Sequence, residues 1–348
     1  MSSNIPKTGA GTASSFSIQS FPVRSSYVMQ TLCDKVAKFL VVARERTENE
    51  GKDLLDGLSS FRKIYMEEFQ GKELFLPTID GEMTNALHFP GTMKKGIIYL
   101  HGNGCFYETS LAKPLNWVNS LKQIGRDGPD QFPHLLVFNP RGTGKSEGIT
   151  HPETVARDML AAFEHLVFVE GIDPNDIVIA GHSMGGFFGS FGAELVQEKF
   201  ADAAINFLSD RSYHSIHSRA ESKMNSGEYS KASEWIVGPT MHQLIDWTEW
   251  NKDPVAAMER LKGRVCVIYH HQDPVIPYPT SAHSALLAHP RTRSYSCLSM
   301  ENDTDGANKH NREFSVKEHP FVIAELKRML HIPLSPEEEN LVLEQLNP

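Results

Sequence analysis

The chain has 348 residues, 40% of them hydrophobic and 22% charged, with a formal net charge of -9. That is material for one large soluble domain or two ordinary ones. The negative balance argues against binding nucleic acid by neutralising phosphates, and no apolar run reaches the ~18 residues that a membrane-spanning helix needs.

In chain order, the opening "MSSNIPKTGAGTASSFSIQS" is rich in Ser, Thr and Gly and lacks a basic start followed by an apolar core. Residues 1–25 read as a disordered tail, not a cleaved secretory signal. The four cysteines Cys33, Cys105, Cys266 and Cys297 show no Cys-x-x-Cys spacing and read as reduced thiols. A cytoplasmic location follows as the expectation, with export lacking a cleaved signal left open. Residues 26–72 form a helical N-terminal extension, amphipathic through Val36, Phe39, Leu40 and Val41.

From Glu73 strands and helices alternate. "ELFLPT" and "MTNALHF" flank the turn "IDGE". "GIIYLHG", "HLLVFNPRG", "DIVIAGHS" and "RVCVIYH" are continuous apolar runs, as strands buried on both faces require. "THPETVARDMLAAFEHLV" opens with Thr150 three residues before Glu153, a capping-box spacing, with Pro152 in the first turn. Val322, Leu326, Met329 and Leu330 mark a late helix that stops before Pro333. This alternation predicts an α/β fold with a mostly parallel central sheet and helices on both faces. The predicted domain covers residues 73–332, with an inserted helical cap over about 213–262 and an acidic tail over 333–348.

Chemistry concentrates at "IVIAGHSMGG". A strand runs straight into Gly-x-Ser-x-Gly at Gly181, Ser183 and Gly185. A serine hydroxyl is a weak nucleophile unless a base lies within hydrogen-bond reach and its approach is open. A sharp strand-to-helix turn opens the approach, and the N–H groups at the helix start suit an oxyanion. "YLHGNGCF" offers a second set of loop N–H groups after an earlier strand, so Asn103 and Met184 are the candidate oxyanion donors.

With "LHGNG", "NPRGTGKSEG" and "GHSMGG" following three successive strands, the chain resembles the α/β-hydrolases from Glu73 to Leu330. The likeness is greatest to serine esterases, lipases and thioesterases, and it extends weakly to little-characterised hydrolase-like proteins of intracellular bacteria. It implies a serine, acid, histidine order along the chain. Asp273 in "HHQDPVIP" matches the acid loop, and Asp210 in "NFLSDRSYHS" is the rival. His310, in the loop after the strand "RSYSCLSM", is the candidate base, with His319 as the alternative. The family often has Gly-His at this position, whereas this chain has Lys309-His310.

Two other patterns compete for attention. "NPRGTGKS" nearly spells a phosphate-binding loop, but Asn139 stands where the first glycine is required. The pairs His214/His217 and His270/His271 lack a third ligand at metal-binding spacing, so neither a metal nor a cofactor is expected. Trp235, Trp247 and Trp250 cluster in the cap and suggest walls for an apolar acyl pocket. The expectation is a hydrolase that cleaves a carboxylic ester or thioester, acting on a small-molecule ester, lipid or acylated substrate. A catalytically silent interaction protein, using the N-terminal extension as its partner surface, is the alternative.

Overall fold

A computed structural model describes residues 27–123, 129–224, 240–289, 295–301, 308–343 and 346–347. The tail expected over residues 1–25 and Trp235 lie outside the described residues.

Nine strands form one sheet in the described residues. They are β1 (Lys72–Pro77), β2 (Met83–Phe89), β3 (Gly96–Leu100), β4 (His134–Phe138), β5 (Ile177–His182), β6 (Asn206–Asp210), β7 (Val265–Tyr269), β8 (Tyr295–Ser299) and β9 (Leu346–Asn347). The order across the sheet is β1-β2-β4-β3-β5-β6-β7-β8-β9. The six strands from β4 to β8 run parallel, while β1, β2 and β9 pair antiparallel at the two sides.

The parallel strands are buried along nearly their whole length. Their side chains alternate between two apolar layers. In β3, Ile98 and Leu100 join one layer, and Ile97 and Tyr99 join the other. The first layer holds Val155, Met159 and Phe163 of α4 (Pro152–Glu164) and Phe187 and Val196 of α5 (Met184–Lys199). The second holds Trp117 of α3 (Ala112–Ser120) and Val322, Leu326 and Met329 of α10 (Glu318–Met329). Burial on both faces explains why the strands read as unbroken apolar runs.

The N-terminal segment departs from a single helix. It divides into α1 (Tyr27–Leu40) and α2 (Val42–Glu68) at Val41, whose φ of -106° and ψ of 98° are extended. Val36, Ala37, Leu40 and Val41 bury into the first apolar layer. Arg62 of α2 is buried among Glu108, Asn85 and Tyr107, tying α2 to β2 and to the loop after β3. The start of α4 also differs from expectation. His151, not Thr150, caps the helix, accepting the Glu153 N–H. Thr150 instead donates its hydroxyl to the Arg141 carbonyl at 2.6 Å.

Between β6 and β7 lie α6 (Ile216–Met224), α7 over residues 240–247 and α8 (Pro254–Glu259). Helix α9 (Ala282–Ala288) follows β7, and α11 (Pro336–Leu343) follows α10.

The contact that permits the central turn is backbone against backbone. A Cβ placed on Gly185 would stand 2.1 Å from the Leu100 carbonyl oxygen and 2.5 Å from that of His101. Backbone atoms cannot swing aside as a side-chain tip can. Gly185→Ala is therefore expected to lower the unfolding free energy by about 1–3 kcal/mol or more. Urea denaturation checks this, and an unchanged midpoint would refute the close approach.

Candidate active site

The sheet changes direction between β3 and β5: from β3 the chain moves to β4 on one side, then returns to β5 on the other. In parallel α/β sheets, ligands bind at such a reversal, outside the carboxyl ends of the strands. The loop holding Asn103 follows β3, and Ser183 follows β5, so both flank this crevice.

Ser183 has φ 54° and ψ -120°, a conformation rarely adopted by residues other than glycine. Its N–H donates to the Asp210 carbonyl at 2.8 Å, and its own carbonyl accepts from Gly186 and Phe187. The turn thus holds the hydroxyl at the helix start. His310 Nε2 lies 2.9 Å from Ser183 Oγ, and His310 Nδ1 lies 2.7 Å from Asp273 Oδ2. The other carboxylate oxygen of Asp273 accepts the N–H groups of Val275 and Ile276, each at 2.8 Å. These bonds and the imidazole hold its carboxyl below the ordinary range against the opposing effect of burial. All three side chains are buried.

The two rival residues sit elsewhere in the bonding pattern. His319 pairs its Nε2 with Ser120 Oγ at 3.0 Å. Asp210 is fully buried and its carboxylate is consumed by cations: Lys113 Nζ at 2.8 Å and Arg211 through Nε at 2.7 Å and Nη2 at 2.9 Å. His182 Nδ1 adds a contact at 3.1 Å. Burial alone would raise the Asp210 carboxyl, but Arg211 and Lys113 hold it well below the usual carboxylate range. Burial and Lys113 push His182 down to about 3, so it meets Asp210 as a neutral donor.

This cluster also reaches the histidine loop. Arg211 Nη1 donates to the carbonyls of Lys309 and Arg312, at 3.1 and 2.9 Å, on either side of His310. Sequence reasoning did not single out Arg211, Lys113 or His182. The only local sign was the Asp-Arg pair ending a strand, and Lys113 stands 97 residues from its partner.

The candidate oxyanion residues border the same turn. Helix α5 begins at Met184, so that N–H precedes any carbonyl of its own helix. The Asn103 side chain donates to the Leu40 carbonyl at 2.8 Å. This bond belongs to a set joining the α1–α2 junction to the site loops. Arg44 donates to the Gly142 carbonyl, Arg46 to the Gly104 carbonyl, and Thr47 Oγ1 accepts the Gly144 N–H. The loop resembling a phosphate cradle is occupied internally: Arg141 grips Asp80 and Asp158, and Lys145 binds Glu73 at 3.0 Å.

The tryptophans correct the pocket expectation. Trp250 is buried with its ring against Phe188 and His151. Trp247 is 60% exposed. One serves the core and the other faces solvent, so these two indoles do not wall a common apolar pocket. Size made both attractive as pocket walls, but a long interhelical packing surface uses a buried indole equally well.

No family model matches the chain. A stretch of 95 residues, 27% of this chain, is 34% identical to the multifunctional-autoprocessing repeats-in-toxin of Vibrio vulnificus; it spans 2% of that protein. The chain covers well under two thirds of the length of the curated relatives it matches. Two solved structures superpose over most of it. An alpha-beta hydrolase from Vibrio vulnificus is 17% identical, with a TM-score of 0.55 over 82% of this chain and 90% of that one. The Pyrococcus furiosus esterase Pf2001 is 14% identical, with a TM-score of 0.55 over 77% and 93%. The chain has the α/β-hydrolase fold.

His151 and His182 are buried and neutral, each pushed down to about 3 chiefly by burial. An unfolded histidine titrates near 6.5. Between these values the unfolded chain binds more protons, so stability is full above about pH 6.5 and falls as pH drops. Each histidine contributes a slope on the order of 1.4 kcal/mol per pH unit. Urea midpoints measured from pH 7.5 to 4.5 should therefore decline from about pH 6, before most carboxylates titrate. A flat profile down to pH 4.5 would contradict neutral burial.

Proposed function

We propose that this protein is a serine hydrolase that cleaves a carboxylic ester or thioester of an apolar acyl group. One observation carries the reading: Ser183 Oγ, the His310 ring and the Asp273 carboxylate lie in one line of hydrogen bonds of 2.9 and 2.7 Å. The serine end of that line sits on a turn with φ 54° at the crevice where ligands bind in such sheets.

In the proposed reaction Ser183 Oγ attacks the acyl carbonyl while His310 Nε2 takes the hydroxyl proton. Asp273 keeps the Nδ1–H of the ring directed at itself and stabilises the imidazolium. The N–H groups of Asn103 and Met184 donate hydrogen bonds to the carbonyl oxygen as negative charge develops on it. Collapse of the tetrahedral adduct breaks the ester or thioester bond, and His310 returns its proton to the departing oxygen or sulfur. Water, deprotonated by His310, then attacks the acyl-enzyme and releases the acid, regenerating the Ser183 hydroxyl.

An apolar acyl chain would lie against the main core, of which Leu40, Val41, Phe106, Met184 and Ile216 are buried members. Phe106 and Met184 follow the carboxyl ends of β3 and β5, and Leu40 meets the Asn103 loop. The esterase named among the structural neighbours is consistent with ester chemistry.

A fluorophosphonate probe should label the native protein at Ser183. Ser183→Ala should abolish the label and leave the urea midpoint within about 1 kcal/mol of wild type. Labelling of another residue in a folded protein would refute the assignment.

Asp273→Asn should reduce turnover of a p-nitrophenyl ester by on the order of 10⁴, because His310 then adopts the wrong tautomer. Asp210→Asn should instead show itself in stability. It leaves Lys113 and Arg211 buried without their anion, a loss of about 3–5 kcal/mol. Equal stability of the two variants, with turnover lost only in Asp210→Asn, would reverse the two roles.

A further inference from the structure

Near the amino end of β4, at the opposite end of the parallel strands from Ser183, three imidazoles gather around one carboxylate. His88 lies in β2, and His134 is the first residue of β4. Because His88 pairs with Leu136 across the antiparallel ladder, His88 and His134 share one face of the sheet. His165 opens a short π-helical turn (His165–Val169) that ends α4, and Glu170 follows it. Such turns are rare and occur often where a chain must aim a functional side chain.

The polar groups here do not satisfy one another. His88 Nε2 and His134 Nδ1 are 3.0 Å apart and share one hydrogen bond. The remaining contacts all converge on Glu170. His88 Nδ1 lies 3.6 Å from one carboxylate oxygen and His165 Nε2 3.7 Å from the same oxygen. His134 Nδ1 lies 3.8 Å from the other oxygen. These separations exceed a hydrogen bond. His165 Nε2 is buried and has no hydrogen-bond partner. A partly exposed carboxylate and buried ring nitrogens thus face each other without bonding, as a set of donor atoms that converge on one point.

Neutral imidazole is the form that binds a transition metal.

We propose that His88, His134 and Glu170 form a binding site for a divalent transition metal of the zinc class, with His165 completing the set. One donor atom from each of the first three lies within 4.8 Å of the others. Donors on a tetrahedral zinc, with bonds of about 2.0–2.1 Å, stand about 3.3 Å apart, so small side-chain movements suffice. Two or three imidazoles with one carboxylate suit zinc, cobalt or nickel better than magnesium or calcium. The ligands come from β2, β4 and the turn after α4, so the metal would fasten an antiparallel strand to the parallel sheet and to the helix covering it. This site is separate from the proposed hydrolytic chemistry and does not depend on it.

The sequence hid this site because its members are spread from residue 88 to residue 170 with no short metal-binding spacing. The pairs His214/His217 and His270/His271, which did draw attention, lie elsewhere.

Full-length protein stripped with chelator and titrated with Co²⁺ should develop visible absorption that saturates at one equivalent. Calorimetry with Zn²⁺ should give one site with a Kd of about 1 µM or tighter. Glu170→Gln and His134→Gln should each weaken that site by at least about tenfold. His242→Asn, in the separate stacked pair of His217 and His242, should leave it unchanged. Zn²⁺ should also raise the thermal midpoint of wild type but not of Glu170→Gln. If His134→Gln fails to fold, Glu170→Gln decides alone, since its carboxylate is partly exposed. Absence of binding up to about 100 µM Zn²⁺ would overturn the proposal. So would a site insensitive to Glu170→Gln or abolished by His242→Asn.

Discussion

The candidate site depends first on the backbone at Ser183. A φ of 54° with ψ of -120° is strained for a residue with a Cβ, at a cost of order 1–3 kcal/mol. The surrounding chain over-determines it. Gly185 rests on the carbonyls of Leu100 and His101, and Gly181 leaves so little space that a Cβ there would stand 2.3 Å from the Gly185 oxygen. A side chain at either position would push α5 away from β3 and relax the turn. The strain is therefore held by packing across two strands and a helix, not by the five residues of the motif alone.

A second layer of order lies directly beneath. The Asp210 carboxylate gathers Lys113, Arg211 and His182, and Arg211 extends the same network to the carbonyls flanking His310. The backbone of Asp210 also receives the Ser183 N–H. One residue thus connects the elements that carry the serine and the histidine, while Asp273 holds the far side of the ring. Buried ion pairs of this kind are weak sources of net stability, but breaking one is costly. The arrangement fits a positioning device better than a stabilising one.

How much of this could be read from the sequence follows from the range of each interaction. The parallel strands were legible because burial on both faces leaves an unbroken apolar run, as in "GIIYL" and "IVIAGH". The Gly-x-Ser-x-Gly bend was legible because its geometry is local. The order of motifs along the chain points to Asp273 and His310 and leaves Asp210 and His319 as rivals. No spacing rule could separate these candidates, since the bond from His310 to Ser183 spans 127 residues. The cap for α4 was misread because a histidine accepted the N–H expected for a threonine, whose hydroxyl found a carbonyl nine residues back. The indoles misled for a similar reason: composition gives size but not direction. Strand β9, only two residues long, carries no periodicity to detect.

The bonds between the N-terminal helices and the loops after β3 and β4 have a consequence for the order in which the molecule can be assembled. Leu40 meets Asn103, Arg44 meets Gly142, and Thr47 meets Gly144, across separations of 63, 98 and 97 residues. During synthesis α1 and α2 emerge long before any surface to which they can dock. Their apolar stripe, including Val36, Leu40 and Val41, must remain uncovered until β3 and β4 are in place. Contacts of such separation form slowly, and apolar surface left waiting invites association with other chains. The segment bonded to the loops after β3 and β4 is thus the first part of the described chain to be made and among the later parts to find its place.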